Sequence, residues 1–452
     1  MSVIVRFAPS PTGYLHIGSA RTALFNYLFA KHHNGKFLLR IEDTDKVRST
    51  DAAIAAIING MKWLNLDHDG DIVLQSTREA RHAEIAHELV ARGGAYYCYE
   101  TAADLQELKE QAQKHGQHQA FRSKWRDKEY SGNEKPVIRL KVPNTGKTII
   151  NDLVQGKVEI ANDHIDDLVL LRSDGTPTYM LACVVDDYDM KITHVIRGDD
   201  HLSNTVKQIL LYQAMGWPVP KFAHIPLIHG MDGAKLSKRH GALGVEAYQE
   251  MGYLPEALCN YLLRLGWSHG NDEIISREQA VEWFDIKDVN KAAARLDFAK
   301  MDNVNAHYIK QADNTRLVSL IAPYLPKSSA ATLTAMDSLK LRAKTIKELA
   351  HSAMPLISGP VEIEPEALAI LKNSDHNLLQ ETIKIIEAIS PWQKHSIEEA
   401  IKNYATSKDI KLNQIMQMLR AFITGRTASI SVFEIMSLLS KDEIIARISK
   451  KF

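Results

Sequence analysis

Two periodicities alternate along the first part of the chain. Val3 to Ala8 places apolar side chains at every second position, as a half-buried strand does, whereas Ser19 to Lys31 repeats them at Ala20, Leu24, Phe25, Leu28 and Phe29, the spacing of a helix face. Lys36 to Ile41 reads as a second strand and Asp51 to Leu64 as a second helix. Alternation of this kind predicts a doubly wound parallel sheet, an α/β architecture. From about Glu79 the rhythm changes. A helix to Arg92, a strand at Tyr96 to Tyr99 and a polar, helix-prone run from Thr101 to Gly116 are followed by short strand-like runs. Those runs lie at Val137 to Val142, Thr148 to Leu153, Lys157 to Ile160 and Leu168 to Leu171. This stretch is read as an α+β insertion between the halves of the sheet domain. The parallel sheet resumes at Ile192 to Ile196, and a helix from Leu202 to Met215 leads towards a loop at Lys235 to Arg239. Beyond Gly241 the pattern is helical: Pro255 to Leu265, Arg277 to Phe284, Val289 to Phe298 and long periodic stretches between Thr315 and Ile445. No barrel-like strand pattern, internal repeat or low-complexity tract interrupts it.

At 452 residues the chain exceeds one ordinary core, so three or four units are expected. A hydrophobic content of 45% with 24% charged residues is that of a soluble globular protein, and no apolar run approaches the roughly 20 residues of a membrane span. The N-terminus runs straight into the first strand, so no signal peptide is expected. Cys98, Cys183 and Cys259 lie too far apart for a disulfide framework, which fits a reducing cytoplasm. A formal net charge of zero argues against indiscriminate nucleic-acid binding but leaves room for a local basic face. From Ile401 to Phe452 there are nine Lys or Arg against four Asp or Glu, which is either a solvated helical face or a surface for a phosphate backbone.

The candidate chemistry lies in two short segments. Pro9-Ser10-Pro11-Thr12-Gly13-Tyr14-Leu15-His16-Ile17-Gly18 turns from strand to helix, so His16 and Gly18 fall at a helix N-terminus, where the helix dipole and unpaired amides attract phosphate. Lys235-Leu236-Ser237-Lys238-Arg239 puts two ammonium groups and a guanidinium on a distant loop. Together they suit a nucleoside triphosphate.

With these two segments the sequence resembles the bacterial glutamyl-tRNA synthetases, class I aminoacyl-tRNA ligases whose signatures are written HIGH and KMSKS. Here they read His16-Ile17-Gly18-Ser19 and Lys235-Leu236-Ser237-Lys238-Arg239. Three further stretches are similar to that family: Leu39-Arg40-Ile41-Glu42-Asp43-Thr44-Asp45, Asp174-Gly175-Thr176-Pro177-Thr178-Tyr179 and Arg197-Gly198-Asp199-Asp200-His201-Leu202-Ser203-Asn204. The resemblance is dense to about Trp267 and thin beyond Ile309. It implies a Rossmann-type catalytic domain split between residues 1–78 and 186–240, and an inserted domain at 79–185 that binds the acceptor end of tRNA. A helical stem-contact domain at 241–320 and a helical anticodon-binding domain at 321–452 follow; the glutaminyl enzymes of the subfamily close with β-barrels instead.

The implied reaction is ATP-dependent ligation of L-glutamate to tRNA(Glu) through glutamyl-adenylate, with tRNA(Gln) left open as a second acceptor. Such chemistry needs positioning and charge stabilisation rather than a covalent link to the enzyme. The resemblance assigns His16, Gly18, Lys235, Ser237 and Lys238 to catalysis. Pro9, Ser10, Thr12, Gly13, His16, Gly18 and Lys238 are assigned to ATP, with Gly18 bringing the adenosine close to the backbone and the amides around it facing phosphate. Arg6, Ser10, Glu42, Tyr179 and Arg197 are assigned to glutamate, because a guanidinium fork pairs with a carboxylate. Arg6 is alternatively an ion-pair partner of Glu42 or Asp43. Asp186 and Asp187 read as helix caps or as ribose and tRNA-end contacts, and Asp199-Asp200-His201 as a cap rather than a metal site. Mg²⁺ is expected to arrive on ATP with mostly water ligands. Several relatives carry a zinc knuckle of cysteines and a histidine in the insertion, whereas Cys98-Tyr99-Glu100 offers one thiol, so no structural zinc is expected. The family's habit implies a monomer. A catalytically silent tRNA-binding module, a tRNA-base-modifying paralogue and a small-molecule nucleotidyltransferase are the competing readings; the first conflicts with the intact signatures, the others with the long helical tail.

Overall fold

The computed structural model describes residues 2–449 apart from 12, 46–47, 102–103, 105–119, 129–133, 235, 237–242, 328, 358 and 360. Its compact units comprise Met1–Tyr248 with Leu258–Asp297, and Gln249–Ala257 with Phe298–Phe452.

In the first unit, β1 (Ile4–Phe7) leads through α1 (Ile17–His32) to β2 (Lys36–Ile41), and α2 (Asp51–Trp63) to β3 (Val73–Leu74). β1 and β2 pair in parallel from Ile4 opposite Lys36 to Phe7 opposite Leu39, and β2 continues to β3. A parallel pair needs a crossover long enough to return the chain, which α1 supplies. This helix buries Ile17, Ala20, Leu24, Phe25, Leu28 and Phe29, which include the positions its periodicity picks out, and Arg21, Ala23, Asn26 and Ala30 besides, so it is enclosed on nearly every side. α2 is capped by Thr50, whose side chain accepts the N–H of Ala53.

α3 (Glu79–Ala91) then precedes a small antiparallel sheet of β4 (Ala95–Cys98), β5 (Val137–Leu140) and, after the hairpin β6 (Lys147–Asp152) and β7 (Gly156–Ala161), β8 (Val169–Leu171). The expected helix at Thr101 to Gly116 lies mostly outside the described residues. α4 (Tyr179–Asp189), β9 (His194–Gly198), α5 (Leu202–Met215) and β10 (Lys221–Ile225) complete the second half of the parallel sheet. β9 runs beside β1, where the N–H of Thr193 reaches the carbonyl of Ile4 at 2.8 Å, and β10 pairs in parallel with β9. The β6–β7 hairpin extends this sheet, since β6 meets β10 in parallel at Asp152 opposite Phe222. One core accordingly joins Ile85, Leu140, Ile150, Leu170, Val195 and Phe222, side chains from both the expected insertion and the parallel sheet.

The expected helix from Val289 to Phe298 is a correction. β11 (Ile228–His229) pairs with β12 (Ala294–Arg295), and Leu296 donates its N–H to the carbonyl of His229; the helix begins only at Phe298. Alanines at 292–294 favour a helix locally, but the strand partner lies some sixty residues upstream and decides the outcome.

Among the described residues of the second unit every element is helical, including Phe298–Gln311, Ile346–Ala353, His376–Ala388, Lys394–Ser407 and Leu412–Thr424. Leu412–Thr424 buries Ile415, Met418, Leu419, Phe422 and Ile423, a stripe at three- and four-residue spacing. Asn305, fully buried, accepts the N–H of Leu254 at 2.8 Å and donates to the carbonyl of Lys344 at 2.6 Å, tying three segments of this unit together.

Candidate active site

The C-terminal ends of β1 and β9 and the first turn of α1 surround a cavity of about 520 Å³. A ligand site at the carboxyl ends of parallel strands, where the sheet order reverses, is what this topology provides. Arg6, Pro9, Ser10, His16, Gly18, Glu42, Tyr179 and Arg197 all line it. Gly13 does not. Thr12, Lys235, Ser237 and Lys238 lie outside the described residues, although Leu236 lines the cavity and donates its N–H to the carbonyl of Ile228 at 3.3 Å.

His16 caps α1 in an extended conformation, and its Nδ1 accepts the N–H of Gly18 at 3.0 Å. An accepting Nδ1 carries a lone pair, so the proton of the neutral ring sits on Nε2, which becomes the donor. This corrects one expectation: the Gly18 amide is engaged by His16. A Cβ at Gly18 would stand 3.2 Å from His16 Nδ1, so the glycine keeps room for the imidazole.

The arginines of the site differ in their company. Arg6 donates through Nε to Asp187 Oδ1 at 2.9 Å and through Nη2 to Oδ2 at 3.3 Å. Arg40 donates to the same Asp187 at 2.7 Å and to Glu42 Oε1 at 3.1 Å. Asp186 next door accepts from Gln75, Arg78 and His82 at 2.8, 2.6 and 2.7 Å. Asp186 and Asp187 are therefore not caps or exposed contacts. They lie in the last turns of α4 and are buried among cations. Nor is Arg6 the partner of Glu42 or Asp43, because Arg40 takes Glu42 and Asp43 accepts the N–H and hydroxyl of Ser76 at 2.8 and 2.6 Å. Burial would raise the Asp187 pKa, but Arg40 and Arg6 overcome it and hold the carboxyl down at about 2. Burial pushes Glu42 the other way, above the ordinary carboxylate range, against the opposing pull of Arg40.

Arg197 has no carboxylate partner among the described residues. Its Nη2 donates to Thr205 Oγ1 at 2.6 Å and Gln208 Oε1 at 2.7 Å, its Nε to His224 Nε2 at 3.2 Å, and its Nη1 lies 3.5 Å from the Tyr179 hydroxyl. Arg197 is 6% exposed, so a full positive charge is held in place by neutral groups at the cavity wall. Desolvating a charge without a counter-ion is costly, and an anionic ligand would relieve it. Tyr179 also meets His201 Nδ1 at 3.2 Å, and burial, then Arg197, lowers the pKa of His201.

Arg21 and Asn204 line the cavity as well, and Arg40 pairs with Asp187; Arg21, Arg40 and Asn204 were assigned no site role from the sequence. Arg40 did carry a signal, a charged residue within the apolar strand Leu38-Leu39-Arg40-Ile41, which announces a buried partner. Asp199–His201 forms a short 3₁₀ turn whose N-cap position is Gly198, so neither aspartate is the cap. Among the described residues no group of three or more His, Cys, Asp or Glu is arranged to hold a metal ion. Cys98 sits 2.7 Å from Glu100 and accepts from Arg139 Nε at 3.2 Å, and burial raises its pKa.

The family model described as "tRNA synthetases class I (E and Q), catalytic domain" matches residues 2–303, and "Anticodon binding domain" matches 316–452. The chain is 55% identical to "Glutamate--tRNA ligase 2" of Rickettsia felis, with 99% of each chain covered. The chain belongs to the glutamate–tRNA ligase family of class I synthetases. A relative of the same name from Rhodospirillum centenum is 51% identical over 99% of this chain and 98% of its own. Among solved structures, a glutamate tRNA ligase from Elizabethkingia meningosepticum in complex with its amino acid superposes with a TM-score of 0.88 at 31% identity, covering 100% of this chain and 99% of that one. The likeness extends through the helical unit. Among the described residues no helix is long and apolar enough to cross a membrane.

Proposed function

We propose that this chain activates L-glutamate with ATP and transfers the glutamyl group to the 3′-terminal adenosine of tRNA(Glu). The observation that carries this reading is Arg197, a buried cation without a carboxylate partner among the described residues, on the wall of a cavity that His16 also lines. The side-chain carboxylate of glutamate would supply the missing anion. Arg6, neutralised by Asp187 through two of its nitrogens, keeps Nη1 for the substrate, and Glu42 would accept from the substrate ammonium beside Ser10 and Tyr179. His16 Nε2–H would meet ATP phosphate, bound near Pro9, Ser10, Thr12, Gly13 and Gly18. Lys238, supported by Lys235 and Arg239, keeps the role the resemblance implies, stabilising charge on departing pyrophosphate, Ser237 stays with them among the catalytic residues, and Mg²⁺ is carried on the phosphates. The chemistry is acyl activation by attack of the glutamate α-carboxylate on the α-phosphate, followed by attack of the terminal ribose hydroxyl on the mixed anhydride.

Charging of purified tRNA(Glu) and tRNA(Gln) by the full chain tests it and reads acceptor preference directly. Glutamyl-tRNA(Glu) should form with ATP consumed and AMP and pyrophosphate released. In this family glutamate activation waits for tRNA, so isotope exchange between ATP and pyrophosphate should appear only when tRNA is present. Absence of charging on both tRNAs would reject the reading.

A further inference from the structure

The guanidinium of Arg197 is braced from behind by two groups that make no contact with the cavity. His224 on β10 and Asp152 at the end of β6 are both buried, His224 completely. Arg197 Nε is a donor, so His224 Nε2, 3.2 Å away, must accept and carries no proton. The proton of the neutral ring then sits on Nδ1, which lies 2.6 Å from Asp152 Oδ2. The other oxygen of Asp152 accepts the backbone N–H groups of Val154, Gln155 and His224 at 3.0, 2.8 and 3.1 Å. A fixed carboxylate thus sets the tautomer of a fixed imidazole, and the imidazole sets the plane of the guanidinium. Thr205 closes the ring of contacts, its Oγ1 lying 2.9 Å from His224 Nε2 and 2.6 Å from Arg197 Nη2.

We infer that Asp152 and His224 are positioning residues for the substrate carboxylate, holding Arg197 in the orientation that receives it. The inference rests on the reading of Arg197 given above. A bidentate pair is demanding in geometry, because its two parallel bonds form only when fork and carboxylate share a plane. A freely rotating Arg197 would lose glutamate while leaving the ATP side of the cavity intact.

The brace also has a charge requirement. An imidazolium at 224 would present a second N–H to the Nε–H of Arg197 and place two cations 3.2 Å apart. The charged groups facing His224 are Asp152 from β6, Arg197 from β9, and Asp199 and His201 from the turn after β9. Burial and Arg197 keep the ring neutral, against the pull of Asp152 and Asp199. Acidification therefore works against the brace.

Steady-state exchange between ATP and pyrophosphate, with the full chain and saturating tRNA, tests this in His224→Ala, His224→Gln and Arg197→Ala. His224→Ala should raise the KM for glutamate on the order of 10- to 100-fold, with the KM for ATP within about twofold of wild type. Glutamine can accept from Arg197 through Oε1 and donate to Asp152 through Nε2. His224→Gln should therefore restore most of the glutamate affinity and abolish the acid limb of the pH profile of kcat/KM for glutamate. If His224→Ala leaves the glutamate KM unchanged while Arg197→Ala raises it, the brace is refuted and the role of Arg197 stands. If Arg197→Ala itself leaves the glutamate KM unchanged, both fall together. Should His224→Ala not fold, the profile of His224→Gln decides: an acid limb identical to that of wild type overturns the proposal.

Discussion

Asp187 is where two buried arginines of the site meet, and its ionisation holds them apart from the solvent they would otherwise need. Arg6 and Arg40 donate to one carboxylate, and Arg40 alone passes the constraint on to Glu42. Removing that negative charge leaves two buried guanidinium groups short of an anion, a defect of about 3 to 5 kcal/mol. Asp187→Asn should show this as lost stability in denaturant at pH 7. The sign of the pH dependence follows from a carboxyl held at about 2 when folded against an ordinary value near 3.8. Its contribution is complete above about pH 4 and drains away as the pH falls towards 2, so the gap between wild type and Asp187→Asn should narrow by roughly 2 kcal/mol over that window. A gap that stays constant from pH 7 to pH 2 would mean that Asp187 does not titrate as an ion-paired group.

At the scale of elements, helix ends show how local chemistry meets tertiary demand. α5 stops at Gly216 and the helix Leu412–Thr424 at Gly425, each in the left-handed region with φ of 68° and 70°. Nothing stands within 4 Å of a Cβ built at Gly216, whereas one at Gly425 would lie 2.1 Å from the carbonyl oxygen of Glu362. The same carboxyl-terminal turn accepts the N–H of Glu364 at the Gly425 carbonyl, 2.9 Å away, so the strand of chain at 362–364 cannot simply withdraw. Gly425→Ala should destabilise the protein by more than the roughly 1 to 2 kcal/mol that left-handed backbone costs an alanine. Gly216→Ala should cost only that conformational amount. Thermal unfolding of the two variants side by side checks the difference, and equal losses would show that the approach of Glu362 relaxes freely.

Across the whole molecule, the basic excess counted over residues 401–452 looks different once the carboxylates that pair with it, three of the four below from outside that window, are in place. Lys408 pairs with Glu381 at 3.0 Å and Arg426 with Glu364 at 3.3 Å, while Lys402 pairs with Glu398 at 2.6 Å and Arg447 with Glu443 at 2.8 Å. Lys411, exposed at the N-cap of Leu412–Thr424, has no acidic partner among the described residues. A cation beside the amide-rich end of a helix is the better placed to meet phosphate. Lys411→Ala should lower the slope of log affinity for tRNA against log salt by about 0.9, or about 0.7 on single-stranded backbone. Lys402→Ala should change it much less, since its charge already has a partner. Titration of the full chain with tRNA at several salt concentrations measures both slopes, and a slope unaltered by Lys411→Ala would exclude that contact.

Apolar periodicity is a property of neighbours in sequence, which is why β1, α1, β2, α2 and α5 were legible to within a residue or two at their ends. The turn at residues 9–18 was legible for the same reason, and with it the cavity's His16 and Gly18. What the sequence could not express is partnership at a distance. Asp187 joins Arg6 across 181 positions and Arg40 across 147, so reading it as a cap or a ribose contact missed its partners. Likewise, the strand at Ala294–Arg295 depends on Ile228–His229, and alanine-rich local preference gave way to that ladder. The clearest case is His224, an isolated imidazole in a short apolar strand until β6 brings Asp152 to one of its nitrogens and β9 brings Arg197 to the other. Local patterning decides which segments become strands and helices because their hydrogen bonds and apolar faces are set within a few residues. Charge and tautomer depend on burial and on partners that only the packed sheet assembles, so they belong to the tertiary structure alone.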